Sequence, residues 1–440
     1  MNSKVFADRR QRYFDRTESD AVTILFAQPV AQRNQDVEFP YRPDSDLYYL
    51  TGFPEPEAVA VLCPGNPQQR FTLFVRPRDP AKEVWNGLRA GVDGAVSRFG
   101  ADAAYPIDEL SARLPALLEN VPTLYHRMYH QPAHDRHVMG AIQALKAQYR
   151  SGVTWPITFR DPAEVVGEMR LIKHPEDVEV LRLAAKITAD AHSEAMRAAA
   201  PGLNEYHVQA VVEFVFRKSG ALGWGYPSIC GSGPNSCILH YVENDRQLQD
   251  GDLLLIDAGA EVDYFTGDCT RTFPVNGRFS PEQRAVYEVV LESQKAGTEA
   301  VRPGNTFMDV HNTSLKVIVD GLIRLGLLAG PAETAIEKET YKPFFMHRTS
   351  HWLGMDVHDA GRYRDRQDWR RLEPGMLLTV EPGIYIASGM EGVDPKWWNI
   401  GIRIEDDVLV TPEGHEVLTS DAPKEIEEIE RLCGERCRYL

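Results

Sequence analysis

Apolar positions divide the chain into two textures. In the first ~160 residues, short apolar runs alternate with Ala/Leu-rich stretches. A charged helix is predicted over residues 1–20 and a buried strand over Ala21-Val-Thr-Ile-Leu-Phe-Ala27. An aromatic segment, Phe39–Phe53, is then punctuated by Pro and Gly. Strands follow at Ala58–Cys63, Phe71–Val75 and Thr123–His126, with helices over 107–120 and 134–150. Such alternation predicts an α/β domain. The Pro/Asp-containing stretch Trp155–Pro162 marks its end, which divides the chain into 1–168 and 169–440.

Beyond that stretch the runs lengthen. Asp177–Ala200 has helical periodicity, opened by Pro175-Glu176 and closed by Pro201-Gly202. Asn204 can cap a second helix running to about Ser219. Strand-like runs follow at Ile229–Ser232, Cys237–Tyr241, Asp252–Ala258 and Phe265–Pro274, then helices near 281–301 and 306–326. Strands return at Leu377–Glu381 and Ile402–Val410, and a charged helix spans 423–435. These blocks predict an α+β arrangement, a curved and largely antiparallel sheet covered by helices.

Composition narrows the partners. At 440 residues the chain exceeds what one core usually supports, so two domains are expected. A hydrophobic fraction of 43% and a charged fraction of 25% describe a soluble globular protein. The formal net charge of −16 argues against nucleic acid or an anionic membrane as partner. The segment Met1–Arg10 is charged and lacks the apolar core of a secretory signal. No apolar run approaches the ~20 residues that span a bilayer. Six scattered cysteines (Cys63, Cys230, Cys237, Cys269, Cys433, Cys437) suggest reduced thiols and a cytoplasmic setting. Cys433 and Cys437 share a predicted helix face, but without a second Cys/His pair nearby they make a poor metal site.

The chemistry centres on Leu253–Phe273. Asp257 ends an apolar run, and Asp268 sits among Gly, Thr and aromatic residues. An antiparallel hairpin turning at Val262-Asp263 would set Glu261 opposite Tyr264 and Asp257 opposite Asp268. Two bare carboxylates at that spacing repel unless one is protonated or a cation lies between them. Three later places gather polar groups where core is expected. Phe344–Gly361 holds His347, His351 and His358; Glu381 ends the apolar strand Leu377–Glu381; and strand alternation puts Arg403 and Glu405 on one face. Singly, each has an ordinary structural explanation, and the spacing of His347 and His351 lacks the Glu of a zincin helix. Together, four strand-borne carboxylates and a histidine cannot share an interior uncompensated.

These segments resemble the pita-bread metallopeptidase family, and within it the Xaa-Pro aminopeptidases. The match runs through Asp257, Asp268, His351, Glu381 and Glu405 in the family's order, within Ile-Asp-Ala-Gly, Gly-Asp-Cys-Thr-Arg-Thr-Phe, Ser-His-Trp-Leu-Gly, Val-Glu-Pro-Gly and Arg-Ile-Glu-Asp-Asp. It extends to Pro40-Tyr-Arg and Asp46–Glu57, outside the metal-binding half, which favours aminopeptidase P over methionine aminopeptidase. The resemblance implies two divalent metal ions: Asp257 on one, Asp268 and Glu405 bridging, His351 and Glu381 completing the second. So oxygen-rich a set suits Mn²⁺, with Co²⁺ or Zn²⁺ as substitutes. Such a pair lowers the pKa of a shared water until it is hydroxide near neutral pH. By the same resemblance His240, His347 and His358 line the substrate site, with His240 and His358 stabilising the developing oxyanion. Glu381 would shuttle the proton to the leaving proline nitrogen. Arg403 and Tyr385 would hold the carboxylates and the substrate from behind.

The resemblance implies hydrolysis of peptides carrying an N-terminal Xaa-Pro. Its rivals are a prolidase confined to dipeptides, a metal-free creatinase-like amidinohydrolase, and a non-catalytic peptide-binding module; the intact ligand set speaks against the last two. One departure is Arg348, where relatives commonly have Gly; a cation there would narrow the pocket or pair with a substrate carboxylate. A homodimer or homotetramer is also implied, with contacts from the N-terminal domain. Trp85 then either reaches a neighbouring subunit's site or packs in a local core.

Overall fold

The computed structural model describes residues 3–439. Two compact units divide the chain, Met1–Met169 and Arg170–Leu440.

The first unit is built on a six-stranded mixed sheet in the order Ala103–Pro106, Phe71–Val75, Val59–Leu62, Ala21–Phe26, Thr123–Tyr125, Thr158–Arg160. Ala21–Phe26 runs antiparallel to Val59–Leu62 and parallel to Thr123–Tyr125, so the sheet mixes hairpins with crossovers. Helices Leu110–Leu118 and Pro132–Lys146 supply Leu114, Leu118, Val138 and Ile142 to the core against Val22, Ile24, Val61 and Phe74. The charged N-terminal helix spans Ser3–Phe14; residues 1–2 of that prediction lie outside the described residues. Trp85 sits on the short helix Pro80–Asn86 with 85% of its surface exposed, which excludes a core role.

In the second unit every strand pairing is antiparallel. Helices Pro175–Ala198, Glu205–Lys218, Pro281–Glu299 and Phe307–Arg324 carry its main core. Val286, Val290, Ile318 and Leu322 pack with Leu254, Ile256, Phe273, Ile384 and Ile402, each buried side chain contributing roughly 1.5–3 kcal/mol. Helix starts are specified locally. Ser280 and Thr306 accept from the amides of Gln283 and Asp309, whose side chains return the bond. These two helices cross closely because Gly321 has no side chain: a Cβ there would lie 2.2 Å from Val289 Cγ1. No helix among the described residues is long and apolar enough to cross a membrane.

Two strand predictions need correction. Cys237–Tyr241 is not a strand; a 3₁₀ turn, Gly233–Cys237, leads into irregular chain. Gly233 takes φ 50°, Pro234 follows, and Ser236 Oγ bonds back to the Gly233 carbonyl, so a local turn outcompetes strand pairing. Ile402–Val410 is likewise two strands, Ile400–Arg403 on Gly383–Ile386 and Asp406–Thr411 on Leu377–Val380. Pro382 lacks the N–H that would carry the ladder through, so both strands change sheets together at Glu381-Pro382 and Ile404-Glu405.

Candidate active site

Two interrupted hairpins build the site. The first turns at Asp263-Tyr264, both in the left-handed region (φ 47° and 64°), with Val262 opposite Phe265 and Asp257 opposite Thr270. The register is thus one residue on from the turn expected at Val262-Asp263, and Asp257 does not face Asp268. The two aspartates remain on one face, since Asp268 lies two residues from Thr270. Backbone packs on backbone beneath them: a Cβ at Gly259 would lie 1.7 Å from the Gly267 carbonyl oxygen.

In the second hairpin Val380 pairs with Asp406 and Gly383 with Arg403. Carrying that register across the break sets Glu381 opposite Glu405. Both carboxylates therefore project where neither strand has a ladder partner. The hairpins are laced together by Glu405 N–H to the Thr270 carbonyl (3.1 Å), Thr270 Oγ1 to Glu405 Oε2 (2.7 Å) and Asp268 N–H to Asp407 Oδ2 (3.1 Å).

His351 arrives on an irregular segment held against Leu377–Val380, its N–H donating to Thr379 Oγ1 at 3.1 Å. Its Nδ1 bonds the Trp352 carbonyl (3.0 Å), which as a pure acceptor fixes the proton on Nδ1 and leaves Nε2 facing the carboxylates. Nε2 lies 3.4 Å from Asp268 Oδ2 and 3.7 Å from Glu381 Oε1. Ligand atoms of Asp268, His351 and Glu405 all fall within 4.8 Å of one another.

The electrostatics call for added positive charge. Burial lifts the Asp268, Glu381 and Glu405 carboxyls above the ordinary carboxylate range, Glu381 to about 7, and neighbouring carboxylates add to the lift. Burial pulls His351 down, but Asp268 and Glu381 outweigh it and hold the imidazole at about 9. Buried Arg403 supplies one compensating charge, its Nη2 lying 2.5 Å from Asp257 Oδ2. Nε of the same guanidinium bonds Thr270 Oγ1 (3.0 Å), and Nη1 bonds Tyr385 Oη (3.0 Å). One guanidinium and one imidazolium against four carboxylates leave a deficit that hard divalent cations fit in charge and in donor type.

The four carboxylates and His351 border a cavity of about 260 Å³, lined also by Tyr226, Ile229, His240, Val242 and His358. His358 packs edge-on to His351, ring centroids 4.4 Å apart. His347 stands behind Glu381: its Nδ1 donates to the Arg348 carbonyl (2.8 Å), so Nε2 accepts from Tyr385 Oη (2.8 Å). Burial and the nearby Arg403 hold this imidazole down at about 3, hence neutral.

Residues 179–412 match the family model described as metallopeptidase family M24, and residues 6–125 match that described as aminopeptidase P, N-terminal domain. The chain belongs to metallopeptidase family M24. It is 44% identical over 434 residues to the Xaa-Pro aminopeptidase of Escherichia coli (strain K12), covering 98% of each chain. It is 41% identical over 430 residues to that of Haemophilus influenzae, covering 97% of this chain and 96% of the other. The solved structure of Pseudomonas aeruginosa aminopeptidase PepP matches with a TM-score of 0.97 at 49% identity, over 98% of both chains. A variant of Escherichia coli aminopeptidase P in complex with substrate matches with a TM-score of 0.95 at 43% identity, again over 98% of both. The α+β unit is therefore an M24 pita-bread domain, preceded by an aminopeptidase P N-terminal domain.

Within this M24 centre, Asp257, Asp268, His351, Glu381, Glu405, His240 and His358 share one cavity, while His347, Tyr385 and Arg403 form a hydrogen-bonded chain behind it. Arg348 is not among the cavity's lining residues; its guanidinium lies over the Trp369 ring, 5.1 Å from the centroid, beside Arg364 at 4.1 Å. Sequence reasoning missed Tyr226. Its hydroxyl reaches Asp257 Oδ1 at 2.6 Å and also bonds Asp268 Oδ1. Burial, with both aspartates, raises the phenol far above its usual range, so it stays a donor. Nothing in the spacing of Gly225-Tyr-Pro-Ser228 signals that role. Thr270 Oγ1 bonds the Glu405 side chain and Asp407 accepts the Asp268 N–H, roles that the motifs holding them do not signal.

Proposed function

We infer that this chain is a metal-dependent Xaa-Pro aminopeptidase, releasing the N-terminal residue from peptides with proline in second position. The observation that carries the inference is the convergence of four carboxylates and one neutral-capable imidazole, from positions 257 to 405, on a cavity that also presents His240 and His358. Asp257, Asp268, His351, Glu381 and Glu405 would hold two divalent ions, Mn²⁺ by the hardness of the donors, with Co²⁺ or Zn²⁺ as substitutes. Zinc substitution is recorded for Escherichia coli aminopeptidase P in complex with product. Divalent cations supply Lewis acidity, polarising the scissile carbonyl and acidifying water.

The chain's own residues do the rest. Glu381, held near neutrality by burial, accepts a proton from the attacking water and delivers it to the proline nitrogen, which lacks its own N–H. His240 and His358 donate imidazole N–H groups to the oxygen that gains charge, where one such donor is worth roughly 10²–10³ in turnover. The Arg403–Tyr385–His347 chain keeps Asp257 and the wall behind Glu381 in place. Ile229 and Val242 give the cavity an apolar side suited to the proline ring.

Turnover of an Xaa-Pro-Xaa panel against Xaa-Pro dipeptides, by chelated protein with and without Mn²⁺, tests the reading. Metal-restored cleavage of the longer peptides is expected; activity confined to dipeptides would make the chain a prolidase. The names of the relatives and the N-terminal domain match favour the aminopeptidase. A folded chain that neither takes up metal nor turns over would instead be a peptide-binding module.

The enzyme is read as a cytoplasmic homodimer or homotetramer. Six unpaired thiols suit a reducing compartment. Val84, Trp85 and Leu88, each more than 80% exposed, suit a contact with a neighbouring subunit. Light scattering on the Trp85→Ala variant tests this: an unchanged mass removes Trp85 from the contact.

A further inference from the structure

Glu205 opens the helix Glu205–Lys218 and is completely buried. Its Oε1 accepts from Ser232 N–H (2.7 Å), Ser232 Oγ (2.7 Å) and Asn235 Nδ2 (3.3 Å). Its Oε2 accepts from Tyr241 Oη (2.8 Å) and Arg246 N–H (3.0 Å). All five donors belong to the stretch 232–246, and they come from its start, its middle and its end. That stretch has no regular structure after the 3₁₀ turn Gly233–Cys237, and it carries His240 into the cavity.

A helix-opening carboxylate interacts favourably with its own helix dipole, but that role needs no outward bonds. Five bonds to one loop are a different arrangement. Loops of this kind wander unless tied, and a buried carboxylate saturated by donors is a stiff tie. Tyr241 points inward to Glu205 while its neighbour His240 faces the cavity, so fixing the one aims the other. A second tether agrees: Ser236 Oγ accepts the N–H of Gly401, two residues before Arg403.

We propose that Glu205 is the positioning residue for His240, setting the geometry with which that imidazole meets the substrate. The proposal rests on the substrate-binding reading of His240 above. A double-mutant cycle with Glu205→Gln and His240→Ala, read as kcat and KM on an Xaa-Pro-Xaa peptide, tests it, with Mn²⁺ affinity measured calorimetrically in parallel. Glu205→Gln is expected to lower kcat about tenfold, within the ~10²-fold that a 1 Å misplacement can cost. Mn²⁺ affinity should stay within twofold, and in the His240→Ala background Glu205→Gln should change kcat less than twofold. If the two losses multiply, or if metal affinity falls with kcat, Glu205 acts elsewhere and the proposal is overturned. If His240→Ala alone leaves kcat intact, the His240 reading itself fails. Tyr241→Phe removes one donor but keeps the ring, and repeats the cycle should Glu205→Gln not fold.

Discussion

The Tyr226 hydroxyl stands 2.6 Å from Asp257 Oδ1 and bonds Asp268 as well, so one phenol spans the two aspartates of the first hairpin. It holds both carboxylates to one point, its single O–H donating to one of them at a time. Tyr226→Phe keeps the ring and deletes the donor. Metal affinity should fall 10–100-fold, the usual cost of removing a group that orients ligands. Calorimetric titration of Mn²⁺ measures it, and an unaltered Kd would show that the hairpin alone orients the pair.

Glu405 makes the site costly in the absence of a cation. Burial holds its carboxyl well above the ordinary range, so ionising it at neutral pH destabilises the fold. In chelator, Glu405→Gln should therefore melt higher than the parent protein. With Mn²⁺ at 100 times Kd the parent should gain about 2.7 kcal/mol and the variant far less. Thermal melts of both proteins with and without metal check the inversion. A variant that melts lower than the parent under both conditions would show that Glu405 is a structural support.

Asp359, next to His358, is buried between Arg170 Nη2 at 2.5 Å and Lys173 Nζ at 2.8 Å. Burial raises its carboxyl, but the two cations outweigh that and hold it at about 2, below the ordinary 3.8. The ion pair's contribution is therefore present above about pH 4 and lost as pH falls toward 2. Asp359→Asn, which leaves two buried cations facing an amide, should cost about 3–5 kcal/mol at pH 7. Urea melts of both proteins across pH 2–7 should show that difference narrowing only at the acid end.

Arg348 rests on Trp369 and is not among the groups bordering the cavity. Arg348→Ala should accordingly change the ratio of Xaa-Pro-Xaa to Xaa-Pro turnover less than threefold. Competition between the two substrates in one assay gives the ratio directly. A swing of tenfold or more would place the guanidinium on the substrate's carboxyl end.

How far the sequence was legible depended on what each position answers to. Helices whose caps and apolar faces are specified within a few residues, such as Pro281–Glu299 and Phe307–Arg324, could be read from local pattern. The candidate ligands stood out because acidic groups at the ends of apolar runs are expensive to bury. Pairing register was harder, since the left-handed residues Asp263 and Tyr264 look no more turn-like than Val262-Asp263. The break at Pro382 was visible as a proline, but its echo at Ile404-Glu405 exists only through pairing. Tyr226 and Glu205 act through partners 27 to 42 residues away, and no local rule marks such a residue.

The centre draws on segments from Asp257 to Glu405, and Glu381 meets Glu405 only after Asp406–Thr411 has zipped onto Leu377–Val380. A ribosome releases the chain N-terminus first, at about 5–20 residues per second. For several seconds of each synthesis, then, the first hairpin is out while the second is still inside the tunnel. No nascent copy can cut the freshly made N-termini around it until the segment through Thr411 has emerged and paired.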